Sequence, residues 1–331
     1  MTKDKQDILK DLQAILQSIQ QHLRKIYRGE NSHIAIIHGS SQLAQETLFQ
    51  NLFYPRDTIL VIGNESSASA LEHIAKLSQL NTISVPANEE IPLEEIKEKL
   101  IEYPHTKAIL LPLVEESTGV LYKLQTLSTY LKQKNILLIV NISDTLLMNP
   151  FYFTDNHIDA AISTLINPIK KSQFSFIALS PKAYDQLLDP PRHFLSLKHL
   201  VHITEECDER ELYALDAYKE VLELLHLITY YEMWQWNHYF GALTTYLRNS
   251  IRQLGYYIIP SHNYSNSHIL IKLPTSQNAY LLRSKVYEIS QLIIEVLDEH
   301  TLLINMNRYM HIFDTLKLID ALSKTQKYYS Q

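Results

Sequence analysis

The sequence predicts an α/β chain, with a doubly wound, mostly parallel sheet in a large domain and a small α+β domain after it. Three observations predict this class. Apolar runs of four to six residues, the length of buried strands, recur at residues 34–37, 58–62, 82–85, 108–113, 136–140, 158–162 and 174–179. Between most of them lie stretches with apolar residues at helical spacing, as alternating strands and helices require. Beyond Gly255 the strand-like and helix-like stretches fall in an α+β order. The expected division is residues 1–235 for the large domain with its N-terminal helix and residues 236–331 for the small one.

Composition narrows the function classes. A length of 331 residues suffices for two domains, and 46% hydrophobic content is that of a folded globular chain. The 30 basic and 36 acidic residues, a net charge of −6, leave no cationic excess to bring in nucleic acid as a partner. No apolar run approaches the roughly 20 residues of a membrane-spanning helix, and the charged start MTKDKQDILKDLQ has no secretory core. A cytoplasmic protein with no membrane association is expected. Cys207 is the single cysteine, which excludes an intramolecular disulfide and a multi-cysteine zinc site. The 15 histidines show no HExxH spacing, so no metal site is expected. Glycine, the residue that lets backbone approach a ligand, occurs only six times. A relaxed pocket is one reading of that count, and a general drift toward Ile, Leu, Lys, Asn and Tyr is the other.

Taken in order, residues 7–27 place Ile8, Leu12, Ile15, Leu16, Ile19, Leu23 and Ile26 on one helical stripe, which Gly29 is expected to end. The strand at residues 34–37 runs into Gly39, Ser40 and Ser41, which open a helix bearing Leu43, Leu48 and Leu52. Free N–H groups and the positive end of a helix dipole suit a phosphate there, and an ordinary N-capped helix has the same spacing. The strand at 58–62 leads to a helix with Ala68, Leu71, Ile74, Ala75 and Leu77. The strand at 82–85 leads to one with Pro92 near its first turn and acidic residues at its N-terminal end. Residues 108–113 run into Glu115, Glu116, Ser117, Thr118 and Gly119, readable as a turn and helix cap or as part of a site.

The strand at 136–140 ends at Asn141, and Asn167 stands 26 residues on (167 minus 141), past the strand at 158–162. Such strand ends are where a doubly wound sheet places its ligand crevice. Residues 174–179 lead to a helix beginning SPKAY, and DPPRH at 189–193 breaks regular structure. Two helices are expected between residues 209 and 254, with the aromatic YYEMWQW a domain or dimer contact. Strands and helices of the small domain follow, closing with the helix DTLKLIDALSKTQ.

On these residues the chain, from about Leu9 to its end, resembles the class V aminotransferases, nearest to the alanine:glyoxylate and 2-aminoethylphosphonate:pyruvate transaminases. The resemblance implies a fold type I pyridoxal-phosphate (PLP) transferase-like large domain and a homodimer with active sites at the subunit interface. In that family a Gly-Ser-Gly-Thr turn grips the cofactor phosphate; here Gly39 and Ser40 are kept, and Ser41 and Gln42 replace the other two. The aromatic residue that stacks on the pyridine ring falls on Ser67. The family's Glu-Ser-Ser-Thr-Gly-Val is retained as Glu115, Ser117, Thr118, Gly119 and Val120, with Glu116 at the small hydroxyl position, where its charge opposes a bound phenolate and phosphate. The aspartate that pairs with the pyridine nitrogen falls on Asn141, and the Schiff-base lysine on Asn167. Leu303 falls on the arginine that binds the substrate carboxylate, with Arg308 five residues on as a candidate substitute.

This threading implies a vestigial pocket of Ser40, Ser41, Gln42, Ser67, Glu115, Ser117, Thr118, Asn141 and Asn167, with no catalytic residue and no cofactor expected. A carboxamide can neither form an imine nor hold a pyridinium proton as a carboxylate does. The expected protein is therefore a catalytically silent dimer that binds a partner protein or a small ligand. The alternative is an active PLP-dependent transaminase or lyase on an amino acid or aminophosphonate, with Lys170 or Lys171 supplying the imine. That alternative moves the amine by three or four residues, against a catalytic tolerance of about 1 Å. A third reading is a cofactor-free activity with Glu115, Glu116 and Asp144 as acids. The chain begins close to its first helix, so the arm that family members place ahead of it is expected to be missing.

Overall fold

The computed structural model describes residues 3–143, 145–167, 172–188, 195–207, 209–230, 233–306 and 310–329. The first amphipathic stripe forms α1 (Lys3–Tyr27). Its terminator is Arg28, at φ 54°, one residue ahead of the expected glycine, and the Gly29 N–H closes onto the Arg24 carbonyl at 3.0 Å. A guanidinium 4.2 Å above the Tyr152 ring helps hold the arginine in that left-handed position. There follow β1 (His33–His38), α2 (Ser41–Leu52), β2 (Thr58–Gly63), α3 (Glu65–Leu77), β3 (Asn81–Pro86), α4 (Leu93–Glu102) and β4 (Thr106–Pro112). Then come the hairpin β5 (Val114–Glu115) and β6 (Val120–Leu121), α5 (Gln125–Leu131), β7 (Leu137–Asn141), β8 (Ala160–Asn167), β9 (Ser172–Leu179) and α6 (Pro181–Asp185). After α7 (Leu197–Glu206) and a 3-10 helix (Glu209–Ala214) the chain forms α8 (Leu215–Thr229) and α9 (Met233–Gln253). It closes with β10 (Tyr257–Ile259), β11 (His268–Lys272), α10 (Ala279–Ser290), β12 (Glu295–Asp298), β13 (Thr301–Asn305) and α11 (Ile312–Tyr329).

Among the described residues the large sheet runs β1-β9-β8-β7-β4-β2-β3. Only β9 opposes its neighbours, so the C-terminal ends of the other strands share one edge of the sheet. Both faces are covered, which is why these strands read as unbroken apolar runs. Ile34, Ile36, Leu60, Ile62, Ile109 and Leu138 pack on α1 and α8, while Ala35, Ile37, Ile59, Val61, Leu110 and Ile139 pack on α2 and α3. Two helices were not anticipated, α5 and α7. The second strand of the Asn141–Asn167 pair also sits later than expected: β8 starts at Ala160 and reaches Asn167, because β9 pairs along it as far as Asn167↔Ser172. The DPPRH segment lies outside the described residues.

A third core joins α9, through Phe240, Leu243, Leu247 and Ile251, to a four-stranded sheet of order β10-β11-β13-β12 and to α10 and α11. This unit is fastened to the large sheet by backbone. The Ser265 N–H donates to the Gly119 carbonyl at 2.9 Å and the Leu121 N–H to the Asn263 carbonyl at 2.7 Å, beside a bridge between Val120 and Tyr264. Gly119 takes φ +71°, and a Cβ there would lie 3.0 Å from the His268 carbonyl oxygen, so the position requires glycine. Asn149, 2% exposed, completes the joint: its Oδ1 accepts the Asn266 N–H at 2.7 Å and its Nδ2 donates to Ser267 Oγ at 3.0 Å.

Asn149→Ala strands both partners of that buried amide, and unfolding in urea is expected to lose about 2–3 kcal/mol of stability with unchanged helix and strand content by circular dichroism.

Candidate functional site

The strand ends His38, Gly63, Pro112, Asn141 and Asn167 share the edge of the sheet where a crevice is expected. At its centre Glu115 has no solvent exposure. Its carboxylate accepts the Asn64 N–H at 3.0 Å, the Ser67 hydroxyl, and the Ser117 hydroxyl at 3.3 Å. Asn64 in turn caps α3, taking the N–H groups of Ser66 and Ser67 at 3.1 Å each, and its amide donates to Ser117 Oγ. A buried carboxylate at a helix N-terminus, supplied with several donors, is electrostatically satisfied. Gly63 makes room for it, since a Cβ there would lie 2.6 Å from Ser67 Oγ. Thr118 Oγ1 is buried without a hydrogen-bond partner.

Three of the expected pocket residues, Ser67, Glu115 and Ser117, therefore form one hydrogen-bonded knot. Ser40 is the N-cap of α2, accepting the Leu43 N–H at 3.3 Å, with Ser41 and Gln42 in the first turn and no acidic residue there. Asn141 ends β7, and its Oδ1 accepts both the N–H and the hydroxyl of Ser143, at 3.0 and 2.6 Å. The amide oxygen is thus committed to a local turn. Asn167 is the last residue of β8. Lys170, Lys171, Asp144 and Arg308 lie outside the described residues. The start of α2 keeps the character of an anion site, whereas the carboxamide and hydroxyl groups at Asn141 and Ser67 offer no carboxylate to a ring nitrogen and no aromatic face to a ring. The described residues suit the phosphate end of a PLP-like group and not its ring.

None of the nine expected pocket residues lines the neighbouring cavity of about 410 Å³, which opens between β8 and the small domain. Its walls include Leu146, Leu165, Leu303 and Met306, with Ser143, Thr164, Glu116, Glu295 and His268 as polar members. Leu303 thus presents an isobutyl group at the position threaded onto the family arginine. Glu295 is held by the Asn305 amide at 2.5 Å. His268, 7% exposed, shares Nδ1 with Ser267 Oγ at 2.9 Å, and burial pushes its imidazole down to about 4. Sequence reasoning missed Asn64 and His268. The Asn-x-x-Ser spacing of an N-cap was a usable signal for the first; the second is brought in only by the pairing of β11 with β13. Among the described residues no group of three or more His, Cys, Asp or Glu side chains could hold a metal ion, and no helix is long and apolar enough to cross a membrane.

Strand order, the single opposed strand and the crevice at the shared strand ends define the fold of the PLP fold type I aminotransferases. Ureidoglycine–glyoxylate aminotransferase from Bacillus subtilis superposes with a TM-score of 0.84 at 15% identity, over 100% of this chain and 91% of that one. Alanine–glyoxylate aminotransferase from Nostoc sp. gives 0.83 at 18% identity, over 98% and 92%. The family model for aminotransferase class-V matches residues 2–164, just under half of the chain, and that stretch is similar to the class V aminotransferases. Alanine–glyoxylate aminotransferase of Felis catus is 29% identical over 206 residues, 59% of this chain and 48% of that protein, so the match spans about half of the relative's length.

Two outcomes follow from this geometry. Glu115→Ala removes the acceptor for three donors, and chemical unfolding is expected to show a loss of about 3 kcal/mol, with Glu115→Gln recovering part of it. For His268, the folded imidazole stays neutral down to about 4 while the unfolded one protonates near 6.5. The unfolded state therefore binds the extra proton in that window, and stability falls as pH drops through it, by on the order of 3 kcal/mol in all. Urea titrations of wild type and His268→Gln at several pH values check this: the variant should lose less between neutral pH and pH values near 4.

Proposed function

We propose that this chain is a catalytically silent aminotransferase-fold protein that lacks the Schiff-base lysine and acts by binding a small ligand or a partner protein. The observation that carries the reading is Asn141: at the strand end where the family has an acid, a carboxamide stands with its oxygen already taken by Ser143. An amide cannot hold a proton on a pyridine nitrogen, and an amide at Asn167 cannot add to an aldehyde. Ser67, bonded to Glu115, supports the same reading, because a serine gives no stacking face. Leu303 in the cavity wall supports it further, because no charge at that position meets a carboxylate.

We take the large domain as residues 1–235 and the small one as residues 236–331; the packing of Phe240, Leu243 and Leu247 on the small-domain sheet favours that border. We also take the protein to be a cytoplasmic homodimer, as its family suggests. Leu227, Tyr230 and Trp234, which are 73%, 80% and 61% exposed around the turn from α8 to α9, provide apolar surface for a protein contact.

Adding PLP to the purified protein, following visible absorbance and reducing with borohydride before peptide mapping tests the reading. No site-specific adduct is expected in the wild type, and Asn167→Lys is expected to yield one. An adduct on Lys170 or Lys171 of the wild type would instead establish the active transaminase or lyase.

A further inference from the structure

A second cavity, about 650 Å³, lies at the outer edge of the sheet, where it reaches the strand-end edge only at His38, the last residue of β1. It exists because β1 is an edge strand whose cover is held at two points. Thr204 Oγ1 of α7 donates to the Ile34 carbonyl at 2.7 Å, and the buried Asn51 amide grips the Leu195 carbonyl and the Leu197 N–H at 2.8 Å each. The C-terminal half of β1 is left facing a space roofed by Ala214 and Tyr218. Its walls are mainly apolar, among them Ile37, Leu43, Leu200 and Ile203.

Polar groups converge at one place. The His38 ring is set edge-on between Phe174 and Tyr218, with centroids 5.1 and 6.0 Å away, and neither of its nitrogens has a hydrogen-bond partner among the described residues. The Tyr218 hydroxyl donates to the Glu211 carboxylate at 3.1 Å. Partial burial lowers the His38 imidazole below its ordinary value, against the pull of Glu211 and Glu220, so it is neutral near pH 7. A neutral imidazole offers one N–H and one lone pair, and a hydroxyl satisfies either. A ligand carboxylate would meet the Glu211 charge, and an ammonium would lose its hydration against aliphatic walls while Glu211 is engaged by Tyr218. A volume of this size, mostly apolar with a few convergent polar groups, is that of a small-molecule site.

We propose that the cavity between the β1 edge, α7 and α8 binds a neutral, mostly apolar small molecule with one hydroxyl group, of the size of a bicyclic phenol, with His38 as its hydrogen-bond partner. This site shares no residue with the strand-end cavity, and it stands whether or not the aminotransferase chemistry has been lost.

Isothermal titration of the full chain with 2-naphthol, 2-naphthoate, 2-naphthylmethylammonium and naphthalene tests it. Naphthol is expected to bind about tenfold more tightly than each of the other three. His38→Phe should bring naphthol to within about twofold of naphthalene, and Ala214→Trp should abolish binding by filling the space. Leu303→Trp, in the other cavity, should leave binding unchanged. Because Ala214→Trp can fail to fold, the ring nitrogen resonances of His38 in the wild type serve as a second readout and should shift on adding naphthol. Equal or tighter binding of the naphthoate or the ammonium, loss of binding in Leu303→Trp, or unmoved His38 resonances would overturn the proposal.

Discussion

A carboxylate with no access to water must find its donors inside the protein, and much of this molecule's central architecture follows from how Glu115 finds them. Its partners come from the end of β2, from the first turn of α3 and from its own hairpin. That arrangement places the tip of the hairpin, where Gly119 and Leu121 exchange backbone hydrogen bonds with residues 263–265. The small domain is thereby positioned by a chain of contacts that begins with one buried charge. Desolvating a carboxylate is expensive, and its donors are bonded to one another as well, so the knot is all-or-none in character.

The same knot bears on function. Hydroxyl and amide groups that could face a ligand at the strand ends are spent on each other: Ser67 on Glu115, Asn64 on Ser117, Asn141 on Ser143. The start of α2 differs in degree: Ser40 takes only the Leu43 N–H, whereas Asn64 takes two N–H groups at the start of α3. The backbone has the fold type I architecture, while Ser67, Asn64 and Asn141 at the strand ends are engaged in local hydrogen bonds. The neighbouring cavity has carboxylates, hydroxyls, the Asn305 carboxamide and the His268 imidazole as its polar members.

The two cavities arise for different physical reasons. One is a gap between two separately packed cores, bridged by Asn149 and the segment around Ser267. The other is a consequence of sheet topology: an edge strand needs a cover, and α7 is bonded to the start of β1, through Thr204 to Ile34 and Glu205 to His33, leaving the other end of the strand open. In both, a histidine whose imidazole lies below its ordinary value stands among aliphatic walls, which gives each space a chemical preference and not merely a volume.

Alternation of buried strands with amphipathic helices was enough for the α/β class and for most strand positions, because a sheet covered on both faces demands unbroken apolar runs and a strand end demands polar ones. That Asn141 and Asn167 offer neither an acid nor an amine is likewise legible from residue type alone, since an amide's chemistry does not depend on where it points. Helix α5, helix α7 and the extension of β8 to Asn167 could not, because short helices owe their stability to tertiary packing and a strand's end is set by its partner. Nor could the union of Glu115 with Asn64 and Ser67, or the approach of His38 to Tyr218 and Glu211. Those contacts join residues about 50 or 180 positions apart, and only the closing of the sheet and its helices brings their side chains within bonding distance.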